Sequence, residues 1–338
     1  MDESPQHLSP DVSQGEPASA PGARRPIPLD GLFERRGFSP LWTTFAALVL
    51  AFVLFQMIIS PLAVVVLLLI EGVSTDALLT DPSMLIEQHA GILLTANTIG
   101  QVLGLCLPAW WLARMHTRRP LAFLRVRRLD TSFMVPALAA LIALLPVVQW
   151  LGAVNGALPL PEVIREFEAS QMELIRQVLH VDTNIAFHLV VLALTPAFCE
   201  ELLFRGYVQR QAERGLGVVG GILFSGIVFA LYHLRFSQIL PLAALGVFMA
   251  YLVWRTGSIW PAIAVHFVNN AVAVVMGAYI ARHPEHEITD IEHINMPWYL
   301  VVLGGCLFVL FVLAIERRAQ GQTGNAPVFE TLPRFRRE

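Results

Sequence analysis

The chain has 338 residues, a hydrophobic fraction of 55%, a charged fraction of 14% and a formal net charge of −3 at pH 7. Soluble proteins carry about 25% charged residues, so this composition excludes a cytosolic protein built from ordinary globular domains. All 23 basic residues are arginines, which also excludes chemistry that needs a lysine, such as a Schiff base or a Ser-Lys dyad. Apolar runs close to the ~20 residues that cross a bilayer as a helix predict an all-α polytopic transmembrane bundle.

The predicted elements begin with a tail of about 40 residues that is rich in Pro, Ser and Gly, a composition typical of disorder. Eight apolar segments follow, each close to the length of a membrane-spanning helix. They are residues 42–70, 91–113, 131–154, 184–204, 217–234, 238–254, 258–281 and 297–315. A kink is expected at Ser60-Pro61, because proline removes one backbone donor from the helix.

The orientation follows from the arginines, which crowd both ends of the chain and the even-numbered loops, while acidic residues dominate the first, third and seventh loops. Short cytoplasmic loops are enriched in basic residues, so both termini are expected in the cytoplasm. The third loop carries apolar residues at helical spacing, which predicts an amphipathic helix on the outer membrane surface, either a packing element or a lid. These residues are Val163, Ile164, Phe167, Leu174, Ile175, Val178 and Leu179.

Ionisable side chains within a span cost about 2.5–3.5 kcal/mol each on insertion scales, so each one needs a functional or structural reason. The ends of spans four and five and the middle of span seven concentrate them. The candidate residues are Glu200, Glu201, Arg205, His233, His266 and Asn270.

Helical spacing assigns roles within span four. Glu201 and Arg205 are four residues apart and can form an ion pair on one face of the helix. Glu200 lies about 140° from Arg205 around the helix axis, so it can stay outside that pair. Because a carboxylate removed from water is a stronger base, Glu200 is predicted to be the general base that takes a proton from water.

The other three residues suit the remainder of a hydrolytic site. His266 and Asn270 are also four residues apart and share one face of span seven, while His233 can approach from span five. Together they could hold a water molecule and stabilise the oxyanion that forms when it attacks a carbonyl. Glu200, His233 and His266 would also suit a divalent metal such as zinc, and the residues leave open whether the site uses a metal or no cofactor.

The three motifs resemble those of a known family. Glu200-Glu201-x-x-x-Arg205, Phe229-x-x-x-His233 and His266-x-x-x-Asn270, in this order on separate helices, resemble the CPBP family of type II CAAX prenyl proteases and bacterial Abi, or bacteriocin-processing, membrane proteases. The resemblance implies a helical bundle with a conical cavity, in which the residue matching Glu200 activates water. Those matching His233, His266 and Asn270 would bind the water or the oxyanion. The family is often labelled as metalloproteases, although a glutamate-dependent route without a catalytic metal has also been argued for it.

The resulting hypothesis is an intramembrane endopeptidase. It comprises a cytoplasmic tail (1–40), N-terminal transmembrane helices with the interfacial helix (41–183), a CPBP-like catalytic core (184–285), a last span (286–316) and a second cytoplasmic tail (317–338). The expected partners are a peptide or protein substrate at the membrane and the lipid bilayer, with no nucleic acid. The expected location is a prokaryotic cell membrane.

Two other functions fit the polar residues less well: a catalytically idle scaffold or immunity protein, and a proton-coupled transporter. The rise per residue of a helix provides a geometric test of the enzyme hypothesis, because it gives the depth of each candidate residue along its span. Glu200 and His266 are expected about 15 Å from the cytoplasmic ends of their helices, but His233 about 24 Å from the start of span five. A tilt, a kink or a later start of span five must close this gap if the three residues form one site.

Overall fold

The computed structural model describes residues 27–74, 89–128, 130–180, 184–281 and 296–322, and within these ranges the regular structure is entirely helical. The all-α bundle predicted from composition is therefore confirmed. The ten helices of the described ranges are α1 (Leu32–Arg35), α2 (Pro40–Ile70), α3 (Ala90–His116), α4 (Pro120–Phe123), α5 (Thr131–Gly156), α6 (Glu162–His180), α7 (Ile185–Tyr232), α8 (Phe236–Thr256), α9 (Trp260–Ala281) and α10 (Trp298–Gln322).

Seven of these helices are long and apolar enough to cross a membrane, namely α2, α3, α5, α7, α8, α9 and α10. The protein is thus an integral, multi-pass membrane protein. The difference from the eight predicted segments arises in α7, whose 48 residues join the predicted fourth and fifth spans. A straight helix of this length would measure about 72 Å, more than twice the ~30 Å hydrocarbon core.

Helix α7 instead reverses direction at Gly217, whose backbone is non-helical (φ 78°, ψ 174°). The hydroxyl of Ser225 donates a hydrogen bond to the carbonyl oxygen of Phe204 at 3.1 Å, although in a straight helix these residues would be about 31 Å apart. The two arms also approach closely, since a Cβ added at Gly221 would lie 2.6 Å from the backbone nitrogen of Glu213. Residues 185–216 and 218–232 therefore form an antiparallel hairpin. The count of eight spans and the cytoplasmic position of both termini stay predictions.

Three of the long helices contain a π-helical stretch that ends one residue before an X-Pro pair. Val53–Ile59 precedes Ser60-Pro61, Val102–Cys106 precedes Leu107-Pro108, and Leu189–Leu194 precedes Thr195-Pro196. A proline cannot donate to the helix and its ring clashes with the carbonyl four residues earlier, and the wider turn relieves both problems without ending the helix. At Ser60-Pro61, where the sequence predicts a kink, the helix is irregular through this π-helical stretch. A fourth stretch, Leu202–Val208, lacks a proline and carries Arg205.

A close crossing of two helices fixes the second arm of the hairpin against α8. A Cβ at Gly246 would lie 2.7 Å from the carbonyl oxygen of Gly226, and one at Gly226 would lie 2.6 Å from the backbone nitrogen of Val247. Small residues let helix backbones approach in this way inside a membrane. This contact places α8 directly beside the segment that leads to His233.

The amphipathic segment predicted in the third loop is helix α6. Its Val163 and Phe167 side chains are exposed, as expected for a helix that offers an apolar face to lipid. Glu168 accepts a hydrogen bond from the backbone of Ser237 at 3.1 Å, so α6 is attached to the first turn of α8, just after His233. Its location on the outer membrane surface stays a prediction.

Residues 27–40 differ from the predicted disordered tail. Ile27 is buried, α1 forms, and the backbone nitrogen of Gly31 donates to the carbonyl of His116 at 2.8 Å. The remainder of that tail (1–26), most of the acidic first loop (75–88), the His- and Glu-containing seventh loop (282–295) and residues 323–338 lie outside the described ranges.

The predicted fourth loop is also wrong, because residues 205–216 continue the first arm of α7 as helix. Arg210 is buried there, and only 4% of the Arg214 side chain is exposed. The polar composition of this segment predicts instead that both side chains are exposed to solvent. Arg210 donates to the carbonyl of Phe123 at 2.8 Å and its guanidinium stacks on that ring at 4.7 Å.

Candidate active site

The hairpin brings Glu200 and His233 to the same height. Glu200 lies about 25 Å before the reversal at Gly217 and His233 about 24 Å after it, because the first arm extends beyond the predicted end of span four. Their side chains face each other, with 3.9 Å between Glu200 Oε2 and His233 Nε2. The gap expected from the sequence is closed by the longer first arm, not by a change in span five.

Glu201 and Arg205 form the predicted ion pair, with 2.7 Å between Arg205 Nη1 and Glu201 Oε1, and both side chains are fully buried. Arg205 also donates to the carbonyl of Gly246 at 3.1 Å. Removing a single partner from a buried pair leaves an uncompensated charge, so the two residues form a structural unit.

Glu201 also holds His266, an interaction that helical spacing could not predict because the two residues are on different helices. His266 Nδ1 lies 3.0 Å from Glu201 Oε1, and both side chains are buried. A carboxylate at this position fixes the orientation of the imidazole ring and makes Nδ1 the nitrogen that carries a proton. Glu201 therefore positions His266 as well as neutralising Arg205.

Glu200 has a different environment from its neighbour. Its side chain is mostly buried, and its Oε2 atom has no hydrogen-bond partner among the described residues. Glu201 Oε2 is also unpaired there, but Glu201 is held through Oε1 by Arg205 and His266, whereas Glu200 faces His233 at 3.9 Å. Because buried polar atoms are nearly always paired, an unpaired carboxylate oxygen calls for an explanation. The predicted separation of Glu200 from the Glu201–Arg205 pair is present.

The orientation of His233 is fixed by a backbone contact. Its Nδ1 lies 2.8 Å from the carbonyl oxygen of Phe229. A carbonyl oxygen only accepts, so Nδ1 carries the proton, and in the neutral ring Nε2 is an acceptor that faces Glu200.

Phe229, the first residue of the Phe229-x-x-x-His233 motif, contacts three polar residues of the site. Its ring centroid lies 4.6 Å from that of His233 and 5.6 Å from that of His266, both edge to face. The guanidinium of Arg205 lies 4.3 Å from the same centroid. Phe229 thus sets the spacing of the two imidazoles.

A cavity of about 30 Å³ lies beside these residues. Its polar lining consists of His233, His266, Asn269 and Asn270. Asn270 makes only a long contact, 3.5 Å from Nδ2 to the carbonyl of Leu192, and Asn269 donates to Asn270 Oδ1 at 3.3 Å. A polar cavity of this size accommodates water. Asn269 was not predicted, although it directly precedes Asn270.

The three residues considered as metal ligands do not form a ligand set. Within the described ranges, no group of three or more His, Cys, Asp or Glu side chains is placed to hold a metal ion. His266 is bound by Glu201, whereas Glu200 faces His233. This arrangement of the three side chains does not fit a zinc site.

Comparison with known proteins identifies a family over the segment that carries the candidate site. Residues 182–272 match the family model described as Type II CAAX prenyl endopeptidase Rce1-like. The resemblance to the CPBP family is confirmed. The matching segment contains all six candidate residues, and it supports protease activity for this membrane protein. Searches of curated proteins and of solved structures found no match.

Proposed function

We propose that the protein is an intramembrane endopeptidase that hydrolyses a peptide bond in or beside the bilayer, with Glu200 as the general base. The observation that carries this proposal is the unpaired Oε2 of Glu200, which faces Nε2 of His233, a residue that lines a cavity of water size. A set of residues that only held the helices together would explain the Glu201–Arg205 pair. It would not explain a second buried carboxylate that forms no ion pair with an arginine among the described residues.

Glu200 and His233 activate the water. The 3.9 Å between Glu200 Oε2 and His233 Nε2 exceeds a direct hydrogen bond and suits a bridging water molecule. Both atoms are acceptors, so a water between them donates one hydrogen to each. Glu200 takes its proton as the water oxygen attacks the carbonyl carbon of the peptide bond.

His266 and Asn270 stabilise the oxyanion that this attack produces. The Asn270 amide donates through Nδ2. His266, held on Glu201 through Nδ1–H, donates to the oxyanion through Nε2 when that nitrogen also carries a proton. Protonated Glu200 then gives its proton to the leaving amine as the carbon–nitrogen bond breaks. The water thereby supplies the hydroxyl of the new carboxyl group and the hydrogen of the new amine.

The substrate class is a peptide or protein whose cleavage site reaches the membrane. The description of the matching family makes a prenylated CAAX protein the first substrate to test. A leader peptide and a membrane-protein fragment are the next. A prokaryotic cell membrane as the location is part of the same proposal.

The test compares cleavage of quenched fluorescent peptides by purified wild-type protein, Glu200→Gln and the matched control Glu166→Gln, whose carboxylate is exposed on α6. Removing the base is expected to lower kcat about 10²–10⁴-fold, while the control keeps wild-type activity. Full activity in Glu200→Gln would refute the assignment. Loss of wild-type activity in a chelator, with recovery on adding zinc, would show that a metal takes part and would replace the metal-free mechanism.

A further inference from the structure

A second concave site lies at the arginine-rich end of the bundle. A groove of about 500 Å³ is formed by the segment around α1 and the last two turns of α3. Its charged and aromatic lining comprises Asp30, Arg35, Trp110, Trp111, Arg114 and Arg118. It shares no lining residue with the cavity at His233 and His266.

The groove carries an excess of positive charge. Arg118 is paired with Asp30 at 3.5 Å, on the exposed rim. Arg35 and Arg114 have no carboxylate partner among the described residues, and Arg114 makes only a 3.5 Å contact with the carbonyl of Thr117. Two unbalanced guanidinium groups facing one groove suit a phosphate, whose oxygens accept several hydrogen bonds from arginine.

An apolar strip leads away from the groove along the outer face of α3. Trp110, Trp111, Leu107 and Leu103 are exposed by 41%, 48%, 50% and 44% of their surfaces. From Trp111 to Leu103 this strip runs about 12 Å toward the middle of the helix. Tryptophans are typical of the membrane interface, so the arginines lie at headgroup level and the leucines at the level of the acyl chains.

The walls of the groove are fixed by the protein itself. Gly31 is hydrogen-bonded to His116 through the backbone, and a Cβ at Gly31 would lie 2.1 Å from the carbonyl oxygen of Met115. Glu34, next to Arg35, accepts hydrogen bonds from Arg214 at 2.7 and 2.8 Å. The groove therefore does not depend on a ligand for its shape.

We propose that this groove binds an anionic phospholipid, with the phosphate on Arg35 and Arg114 and one acyl chain along Leu107 and Leu103. A phosphate site that continues into an apolar strip fits a lipid better than a free anion. Basic pockets at the cytoplasmic ends of transmembrane helices are suited to anionic headgroups. The site does not depend on the proposed peptidase activity.

The test measures binding of dioleoyl phosphatidylglycerol and dioleoyl phosphatidylcholine to the full-length protein by native mass spectrometry from detergent. Wild-type protein is expected to prefer phosphatidylglycerol at least about tenfold. Both lipids carry a phosphate, but the choline cation cancels the net negative charge that the two unbalanced guanidinium groups attract. Arg35→Gln/Arg114→Gln should lose this preference. The matched control Arg36→Gln/Arg119→Gln removes the same charge from neighbouring exposed positions outside the groove and should keep it.

Four results would count against the proposal. Equal affinity of the wild-type protein for both lipids would show that the groove does not bind anionic lipid selectively. An equal loss of lipid preference in the two double variants would show that general surface charge causes the preference.

Inorganic phosphate serves as the free-anion probe, and displacement of the lipid by millimolar phosphate would refute the lipid assignment. Acyl-brominated phosphatidylglycerol should quench tryptophan fluorescence less in Trp110→Phe/Trp111→Phe than in wild type, and unchanged quenching would contradict the placement of the chain. Thermal unfolding of each variant checks that it is folded.

Discussion

Two carboxylates that lie at different heights of the α7 hairpin, Glu34 of α1 and Glu200 of α7, are buried to a similar degree but are bonded very differently. Near the reversal at Gly217, Glu34 accepts hydrogen bonds from His116 at 2.6 Å and from Arg214 at 2.7 and 2.8 Å. His116 in turn contacts the hydroxyl of Tyr207 at 2.9 Å. At the other end, Glu200 Oε2 has no hydrogen-bond partner in the described part of the chain and lies 3.9 Å from His233.

This difference separates structural from chemical roles around the same helical hairpin. A fully bonded carboxylate in a buried network fixes the position of helices and is costly to disturb. A buried carboxylate with an unbonded oxygen contributes little to stability, yet it keeps a lone pair for a substrate or water. Stability and activity should therefore respond to different residues.

The largest effect on stability is expected from Arg205→Leu. The change leaves Glu201 buried without its counter-ion, which costs about 3–5 kcal/mol when one partner of a buried pair is removed. Unfolding of the purified protein in mixed micelles, followed by circular dichroism, measures the loss. A change below about 1 kcal/mol, the size found for exposed pairs, would show that Glu201 does not depend on Arg205.

A smaller loss is expected from Glu34→Gln, which keeps the shape of the side chain but removes the charge that His116 and Arg214 contact. Hydrogen bonds to charged groups contribute about 1.5–3 kcal/mol, and a neutral amide retains part of this. The same unfolding assay applies. Glu71→Gln, at an exposed position that directly follows α2, serves as the control and should leave the unfolding free energy unchanged.

The contribution of Glu34 should also depend on pH. Burial alone raises its pKa, but hydrogen bonds from His116 and Arg214 and the charge of Arg214 outweigh burial and lower the pKa from 4.5 to about 2. Because the folded-state pKa is depressed, this stabilisation is complete above about pH 4.5 and is lost as the pH falls toward 2. The difference in unfolding free energy between wild type and Glu34→Gln should therefore shrink between pH 5 and pH 3. A constant difference would contradict the charged state of Glu34.

The smallest effect on stability is expected from Glu200→Gln, although its effect on activity should be the largest. No hydrogen bond to Oε2 is lost among the described residues, so the unfolding free energy should change by no more than about 0.5 kcal/mol. A loss comparable to that of Arg205→Leu would place Glu200 in the structural network and would undermine its role as a base.

Sequence reasoning located most of the transmembrane helices because apolar length alone specifies a membrane span. It misjudged residues 205–216, where Gln209, Arg210 and Arg214 have the composition of a solvent loop. The two arginines are held by partners far away in the sequence, Phe123 for Arg210 and Glu34 for Arg214. Gly217 was a usable signal for the reversal.

The candidate site was partly predictable for the same reason. Spacing along one helix revealed the Glu201–Arg205 pair and the freedom of Glu200. It could not reveal that Glu201 binds His266, because the two residues are 65 positions apart and meet only through packing of α7 against α9. The disorder predicted for residues 27–40 was also wrong. Their Pro-rich composition is typical of disorder and does not reveal the distant residues that hold Glu34 in place.

The reversal at Gly217 also governs how the chain enters the membrane during synthesis. The second arm, residues 218–232, spans only about 22 Å as a helix, less than the ~30 Å that an independently inserting segment must cross. It also carries Ser225 on the face that meets the first arm. The two arms are therefore expected to leave the translocation machinery together as a helical hairpin. Biogenesis of the segment that ends at His233 would then depend on the helix that precedes it.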